Sequence, residues 1–255
     1  MRPALALIAV LAAGPAMAAP PPPQLSVTAV YEARMLLLKV ADLRTDQVVR
    51  PADFQSGARL STIGALGVLK PSTVLVQANG STAGGVVAPG IFIQTEKNRR
   101  RVTRYSGGPP DPLTQLLRAA LQPGGGSPCI GTTPINDGRQ RYDLTLSPAG
   151  GGQLSGPQRG FGLQRTVACR MGFHPISGFG KGPPKPNPFL RGDPVATFAY
   201  APKGDVWVMS DVAIPTMLGS GHISLTGLRI DGARPVFARP PPPPKPARKP
   251  VRRRR

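Results

Sequence analysis

The sequence predicts an all-β, mainly antiparallel fold in which one short helix packs on a single sheet. Apolar and polar residues alternate through most of residues 25–230, which is the pattern of strands that bury one face. One stretch has a helical period instead: from Leu113, apolar residues recur at i+3, i+4, i+7 and i+8. Asp111 before it is a good N-cap, and Pro112 suits the first helical position. We therefore expect one helix, beginning at Pro112, that covers a face of the sheet.

The strands are predicted between turn signals. Asn79-Gly80, Asn136–Gly138 and Pro202–Asp205 have the composition of tight turns. Residues 61–68 are rich in Gly and Ala and fit a strand or a helix. The segments expected to form strands are 25–31, 35–40, 72–78, 142–146, 165–173, 195–200, 205–210 and 222–230, with 91–105 as a long charged hairpin.

The two ends of the chain differ from its middle. Residues 1–18 have the features of a secretory signal peptide, with Arg2, a short apolar run and a small-x-small site at Ala16–Ala18. We expect export to the periplasm or secretion, a proline-rich linker over residues 19–24, and a β domain over 25–232. Residues 233–255 are rich in Pro, Lys and Arg and predict a disordered basic tail. No later run is long and apolar enough for a transmembrane helix.

The chain has only two cysteines, Cys129 and Cys169. In an exported protein such a pair most simply forms one structural disulfide. A redox-active pair is the alternative, although such pairs are more usually spaced Cys-x-x-Cys. Metal binding is a poorer interpretation, because His174 and His222 are the only histidines and neither has a partner at ligand spacing.

The middle of the chain resembles a known family. The resemblance rests on Asp111-Pro-Leu-Thr114, the lone Cys129, Asn136-Asp-Gly-Arg-Gln-Arg-Tyr-Asp-Leu144, Cys169 and Pro175-Ile-Ser-Gly-Phe179. These motifs resemble the domain-of-unknown-function 3108 (DUF3108) family of exported bacterial envelope proteins. The resemblance is strong over residues 111–179, weaker over 25–105 and modest over 205–231. Where the family usually has an apolar residue and an aromatic one before Asp-Gly, this chain has Ile135-Asn136.

The resemblance implies a fold and a compartment. The fold would be a curved sheet like half of a barrel, as in the periplasmic lipoprotein carriers, and no catalytic residue is carried over. It also implies a structural role for the motif residues, which are Asp111, Asp137, Gly138, Arg139, Arg141, Tyr142, Pro175, Gly178 and Phe179.

The chain is strongly basic, with a formal net charge of +20. The tail from Arg234 has nine positive charges and no acidic residue, and residues 19–233 hold 22 Lys and Arg against 12 Asp and Glu, a balance of +10. Two clusters are candidate anion-binding sites. They are Lys97, Arg99, Arg100, Arg101 and Arg104 in the hairpin, and Lys245, Arg248, Lys249, Arg252, Arg253, Arg254 and Arg255 in the tail.

The expected partners follow from charge and compartment together. Because an exported protein meets little nucleic acid, envelope polyanions fit better: anionic lipids, lipopolysaccharide phosphates or cell-wall polymers. Plainer interpretations stay open for both clusters, namely a solvated hairpin arm and a solubilising tail. For the hairpin the plainer one is favoured, since no aromatic residue is interleaved with the arginines.

No catalytic constellation is found in the sequence. The Gly-x-x-x-x-Gly-Lys-Ser/Thr loop, the Gly-x-Ser-x-Gly elbow and the His-Glu-x-x-His helix are all absent from it. We accordingly predict no catalytic, cofactor-binding or metal-binding residue and no cofactor. The preferred function is a non-enzymatic envelope scaffold or binding protein that contacts anionic components. A carrier of a lipid or another apolar ligand in a half-barrel cavity is the alternative, and a hydrolase of envelope polymers ranks third.

Overall fold

The computed structural model describes residues 24–36, 38–64, 71–97, 99–122, 125–179, 190–217 and 219–237. The predicted signal peptide, nearly all of the proline-rich linker and the tail from residue 238 onward lie outside these ranges. The tail cluster of Lys245 to Arg255 is therefore among the residues that are not described.

The described residues form one open antiparallel sheet, so the predicted all-β fold is confirmed. Twelve strands are present in these ranges, in the order β6-β5-β4-β3-β2-β1-β12-β11-β10-β9-β8-β7. They are β1 (Leu25–Met35), β2 (Leu38–Val49), β3 (Asp53–Thr62), β4 (Thr73–Ser81), β5 (Ala88–Glu96), β6 (Arg99–Arg104), β7 (Gly131–Asn136), β8 (Arg141–Pro148), β9 (Thr166–Ser177), β10 (Val195–Ala201), β11 (Val206–Thr216) and β12 (Gly219–Gly232).

Two helices accompany the sheet in the described ranges. The helix α1 spans Pro112–Ala120 and begins where the sequence predicts. The short helix α2 spans Gly156–Gly160 and was not predicted. It begins with a capping box, in which Ser155 and Gln158 bond each other's backbone N–H groups, and the Gln158 amide also donates to the carbonyl oxygen of Ser210 at 2.8 Å.

The strand β1 shows why alternation predicts this sheet. Leu25, Val27, Ala29 and Tyr31 are buried, and the residues between them are only half buried. Because side chains alternate across a strand, one face of β1 carries the core. The strand pairs with β2 on one side and β12 on the other, so it lies at the centre of the sheet.

The sheet curves around α1. The helix contacts β3 and β4 from one half of the strand order and β7 and β11 from the other half. Only a sheet that bends around the helix can bring both halves to it. Gln115 donates to the Thr133 hydroxyl on β7 at 2.9 Å, and Arg118 donates to the carbonyl oxygen of Val87 at 2.8 Å. The helix is thereby hydrogen-bonded towards both halves.

The buried surface of α1 is wider than the predicted stripe. Leu113, Leu117 and Ala120 of the stripe are buried, and Leu121 just beyond the helix is buried too. Thr114, Gln115 and Ala119 are also buried, although the period places them off the stripe. The reason is the curvature of the sheet, because a helix enclosed from two sides is covered around most of its circumference.

Asp111 holds the first turn of α1 and is completely buried. Its Oδ1 accepts from the backbone N–H of Thr114 at 2.9 Å, and its Oδ2 accepts from the Thr114 hydroxyl at 2.5 Å. Burial raises the pKa of Asp111 above its ordinary value, while the hydrogen bonds from Thr114 oppose that rise. The predicted N-cap is present, and each of its carboxylate oxygens accepts a hydrogen bond from Thr114.

The predicted disulfide is confirmed. Cys129 and Cys169 are bonded, with their Cα atoms 5.4 Å apart. Cys169 is completely buried in a cluster with Leu146, Phe198 and Trp207. The bond ties the segment before β7 to β9 across 40 residues, which in the chain-entropy model is a stabilisation of about 4 kcal/mol.

The predicted turn at Asn79-Gly80 is wrong. The strand β4 continues through both residues to Ser81, and Gly80 pairs with Phe54 and Pro89. A Cβ at position 80 would overlap the carbonyl oxygen of Ala88 and the Phe54 ring, so this glycine permits a close approach of neighbours inside the sheet. The chain turns a few residues later, at Gly84 and Gly85, which have φ values of 70° and 77°.

The chain remains on the domain after β12. Arg234 donates to the carbonyl oxygen of Gln122 at 3.3 Å and lies 3.8 Å from an Asp205 carboxylate oxygen. Its guanidinium stacks over Phe237, and that ring packs against the core. The basic tail is predicted to begin at residue 233, and the first residues of that range contact the domain as far as Phe237.

We expect Asp111→Ala to lower the free energy of unfolding by about 1–2 kcal/mol, because the substitution leaves the Thr114 N–H without its cap. Asp111→Asn keeps an acceptor and should lose less. Burial raises the pKa of Asp111, so the folded state binds a proton more readily than the unfolded one. The stability of the wild type relative to Asp111→Asn should therefore rise as the pH falls through that raised pKa towards the ordinary value of an Asp carboxyl. Urea unfolding over this pH range measures both effects. A pH-independent difference between the wild type and Asp111→Asn would contradict the raised pKa, and equal stability of Asp111→Ala and the wild type would contradict the role of the cap.

Candidate anion-binding cleft

The two edges of the sheet, β6 and β7, meet without pairing, and we call their junction the seam. The Tyr105 hydroxyl, just after β6, donates to the carbonyl oxygen of Asn136 at the end of β7. Gly138 lies so close to the Thr103 side chain that a Cβ there would overlap it. Burial is the main reason that the pKa of Tyr105 lies above its ordinary value. One partly buried hydroxyl thus joins the two edges.

Beside this junction the seam opens into a cleft of about 620 Å³. We call it the seam cleft. The residues that line it are Gln94, Glu96, Lys97, Arg99, Arg100, Arg101, Asp137, Arg139 and Gln140. They come from the β5–β6 hairpin on one side and from the β7–β8 turn on the other. Five of these side chains are basic and two are acidic.

The pairing of β5 with β6 decides which arginines share a face. Arg99 lies opposite Glu96 and Arg101 lies opposite Gln94, so these four side chains are on one face of the hairpin. Arg100 lies opposite Thr95, and Arg104 lies opposite Ile91, on the other face. Of the predicted hairpin cluster, Lys97, Arg99 and Arg101 line the seam cleft, and so does Arg100, although it lies on the other face of the edge strand β6. Arg104 does not line it.

The opposite wall of the seam cleft is a tightly built turn. The Asn136 Oδ1 accepts from the Gly138 N–H at 3.0 Å, and the Asp137 Oδ1 accepts from the N–H groups of Arg139 and Gln140 at 2.8 and 2.6 Å. Gly138 has a φ of 82°, as its predicted place in a tight turn requires. The Asp137 carboxylate is therefore engaged by its own backbone, and Arg139 projects from a fixed position.

The remaining motif residues lie on β8 and on β9 and the segment after it, next to this turn. Gly178 has a φ of 84°, and a Cβ there would overlap the carbonyl oxygen of Arg139. The Phe173 ring packs against Tyr142 in a tilted arrangement, with centroids 4.6 Å apart, and meets Phe179 edge to face at 5.8 Å. Burial raises the pKa of Tyr142 to about 12. Two motif residues are peripheral: Pro175 lies opposite Tyr142, and the exposed Arg141 lies opposite Ser177.

The basic side chains of the seam cleft are unpaired, in contrast to others on the sheet. Arg44 pairs with Asp46 at 2.9 Å, and Arg229 pairs with Asp231 at 2.6 Å. None of the five basic side chains that line the cleft makes an ion pair or a side-chain hydrogen bond with any residue that the structure describes. They are available to a ligand.

The concave face of the sheet offers little room for an apolar ligand. The cavity beneath α1 is lined by Val27, Tyr31, Leu116 and Trp207 among others and has a volume of about 60 Å³. Ligand pockets usually measure roughly 300–1,000 Å³. The helix occupies the space that the predicted carrier function would use.

Comparisons of the chain with protein-family models, with curated proteins and with solved structures gave no match. The resemblance to the DUF3108 family stays a prediction. Among the described residues, no helix has the length and apolar character needed to cross a membrane.

We expect Tyr105→Phe to lower the free energy of unfolding by about 0.5–1.5 kcal/mol, because the substitution removes the hydrogen bond across the seam. Amide hydrogen exchange should accelerate at residues 136–138. The matched control is Tyr142→Phe, since the Tyr142 hydroxyl has no hydrogen bond to any described residue. Equal exchange rates in both variants would show that Tyr105 does not hold the edges together.

Proposed function

We propose that the protein is a non-enzymatic binding protein of the bacterial cell envelope and that it binds anionic, phosphate-bearing envelope components in the seam cleft. The observation that carries the proposal is the group of five basic side chains that have no partner in the described chain. They come from both edges of the sheet, and the rigid turn at Asp137 to Gln140 fixes one of them.

The chemistry of these side chains fits phosphate. Four of the five are arginines, whose planar guanidinium groups bond phosphate oxygens in pairs and remain charged at any physiological pH. Like charges in a cleft also focus the electrostatic potential and attract anions from solution. The volume of about 620 Å³ lies within the usual range for ligand pockets, roughly 300–1,000 Å³.

The compartment is supported by two observations of different kinds. Residues 1–18 have the pattern of a secretory signal peptide. The disulfide between Cys129 and Cys169 is of the kind that persists in oxidising compartments. In the envelope, the accessible polyanions are lipid headgroups, lipopolysaccharide phosphates and cell-wall polymers.

The basic tail is a second anion-binding element in this proposal. The chain packs at Phe237 near Gly85, in the turn between β4 and β5. That turn is at the opposite end of the strands from the β5–β6 hairpin. Tail and cleft can therefore be tested apart, by ending the chain after Phe237.

The test is calorimetric titration with inorganic polyphosphate of the protein that ends after Phe237. Arg99→Gln with Arg101→Gln should weaken binding about tenfold or more, because each removes a charge-assisted hydrogen bond. The matched control is Arg59→Gln with Arg170→Gln, two exposed arginines outside the cleft, with an expected change below about twofold. An equal loss in both double variants would mean that only net charge matters, and the proposed site would be wrong.

A further inference from the structure

In the described part of the chain, the connections that follow odd-numbered strands lie at one end of the sheet. Each strand is antiparallel to its neighbours throughout the order, so the chain reverses alternately at one end and the other. The connections β1–β2, β5–β6, β7–β8 and β11–β12 are therefore at the same end. The seam cleft is at this end too, since its residues flank two of these connections.

Exposed apolar side chains are concentrated at this end. We call them the apolar rim: Met35, Leu36, Leu38, Leu190 and Met217. Leu38 is 68% exposed and Leu36 is 55% exposed. They lie on neighbouring strands: Leu38 pairs with Met35, Leu36 lies against Gly219, and the Thr216 hydroxyl reaches the Met35 sulfur at 3.9 Å. Leu190 pairs with Thr216, the residue before Met217. Exposed apolar patches of this kind mark surfaces that contact another protein, a ligand or a membrane.

Folding does not explain the leucine at the tip of the β1–β2 hairpin. Leu36 has a φ of 55°, a left-handed conformation that normally favours Gly or Asn. A leucine there carries a backbone cost and exposes an apolar side chain as well. The opposite end also carries exposed apolar residues, Val86 and Val236, but its turns include the Arg50–Asp53 ion pair and the polar segment Pro202–Asp205. None of the basic side chains that line the seam cleft is there.

We propose that the apolar rim rests on the surface of an anionic phospholipid bilayer, and this inference builds on the proposed function of the seam cleft. The tips of β1–β2 and β11–β12 enter the interface, and Lys97, Arg99 and Arg139 contact lipid phosphates. The charge of the cleft selects an anionic bilayer over a neutral one, since each basic residue near an anionic surface adds to the attraction. The seam cleft and the apolar rim are at the same end of the sheet, so that end faces the bilayer and the opposite end faces away.

The test is co-sedimentation with vesicles of phosphatidylglycerol and phosphatidylcholine, again with the protein that ends after Phe237. Leu36→Asn with Leu38→Thr should weaken vesicle binding about tenfold or more, because two apolar side chains no longer enter the interface. Asn is favoured at the left-handed position and Thr in a strand, so the variant keeps its fold. The matched control is Val86→Asn with Val236→Thr, two exposed apolar residues at the other end, which should leave binding unchanged.

A fluorescence measurement reports the orientation directly. The emission of Leu38→Trp should shift to the blue when anionic vesicles are added, and that of Val86→Trp should not. Equal vesicle binding by the rim variant and the wild type, or a shift at position 86 instead of 38, would overturn the inference. Polyphosphate titration of the rim variant separates the two proposals. If the rim variant binds both polyphosphate and vesicles as strongly as the wild type, only the rim proposal is wrong. If the wild type does not bind polyphosphate, the seam cleft proposal is wrong.

Discussion

The enclosure of α1 by the sheet is the constraint on which the rest of this structure depends. The concave face of this open sheet needs a cover, and one short helix contacts strands from both halves of it. Asp111 makes this possible, because the first turn of α1 is buried and its N–H groups cannot be satisfied by water. The curvature that encloses the helix also brings the two sheet edges together.

The meeting of the edges produces the candidate site. Edge strands are often protected by charged residues, and the arginines of β6 fit that role. Protection alone does not explain Arg139, which belongs to the β7–β8 turn and faces the same cleft from the other edge. Nor does it explain why these side chains lack carboxylate partners when Arg44 and Arg229 have them.

The features that could be predicted from the sequence are those set by residues close together in the chain. The cap at Asp111, the turn at Gly138 and the charged hairpin follow from local patterns. Two strands were not predicted, each for a physical reason. On β3 the polar Ser56 is buried on the inner face, so the apolar–polar alternation is broken. The strand β7 contains Pro134, which is unfavourable within a strand. The helix α2 could have been found from its capping box, Ser155 with Gln158.

The seam itself could not be predicted in this way. Tyr105 and Asn136 are 31 residues apart, and nothing in either neighbourhood indicates that they touch. Arg139 was predicted as a structural residue of a motif, and only the curvature of the sheet places it opposite Arg99 and Arg101. The predicted roles of the signal peptide and of Lys245 to Arg255 stay predictions, because those residues lie outside the described ranges.

The most direct test of the central claim is a titration of the isotope-labelled protein with inorganic polyphosphate, followed by backbone NMR. The claim is that an anion binds between the two sheet edges. It predicts that residues 97–101 and residues 137–140 shift together with one dissociation constant. Shifts confined to the hairpin, with the β7–β8 turn unchanged, would show a solvated charged arm and would contradict a site at the seam.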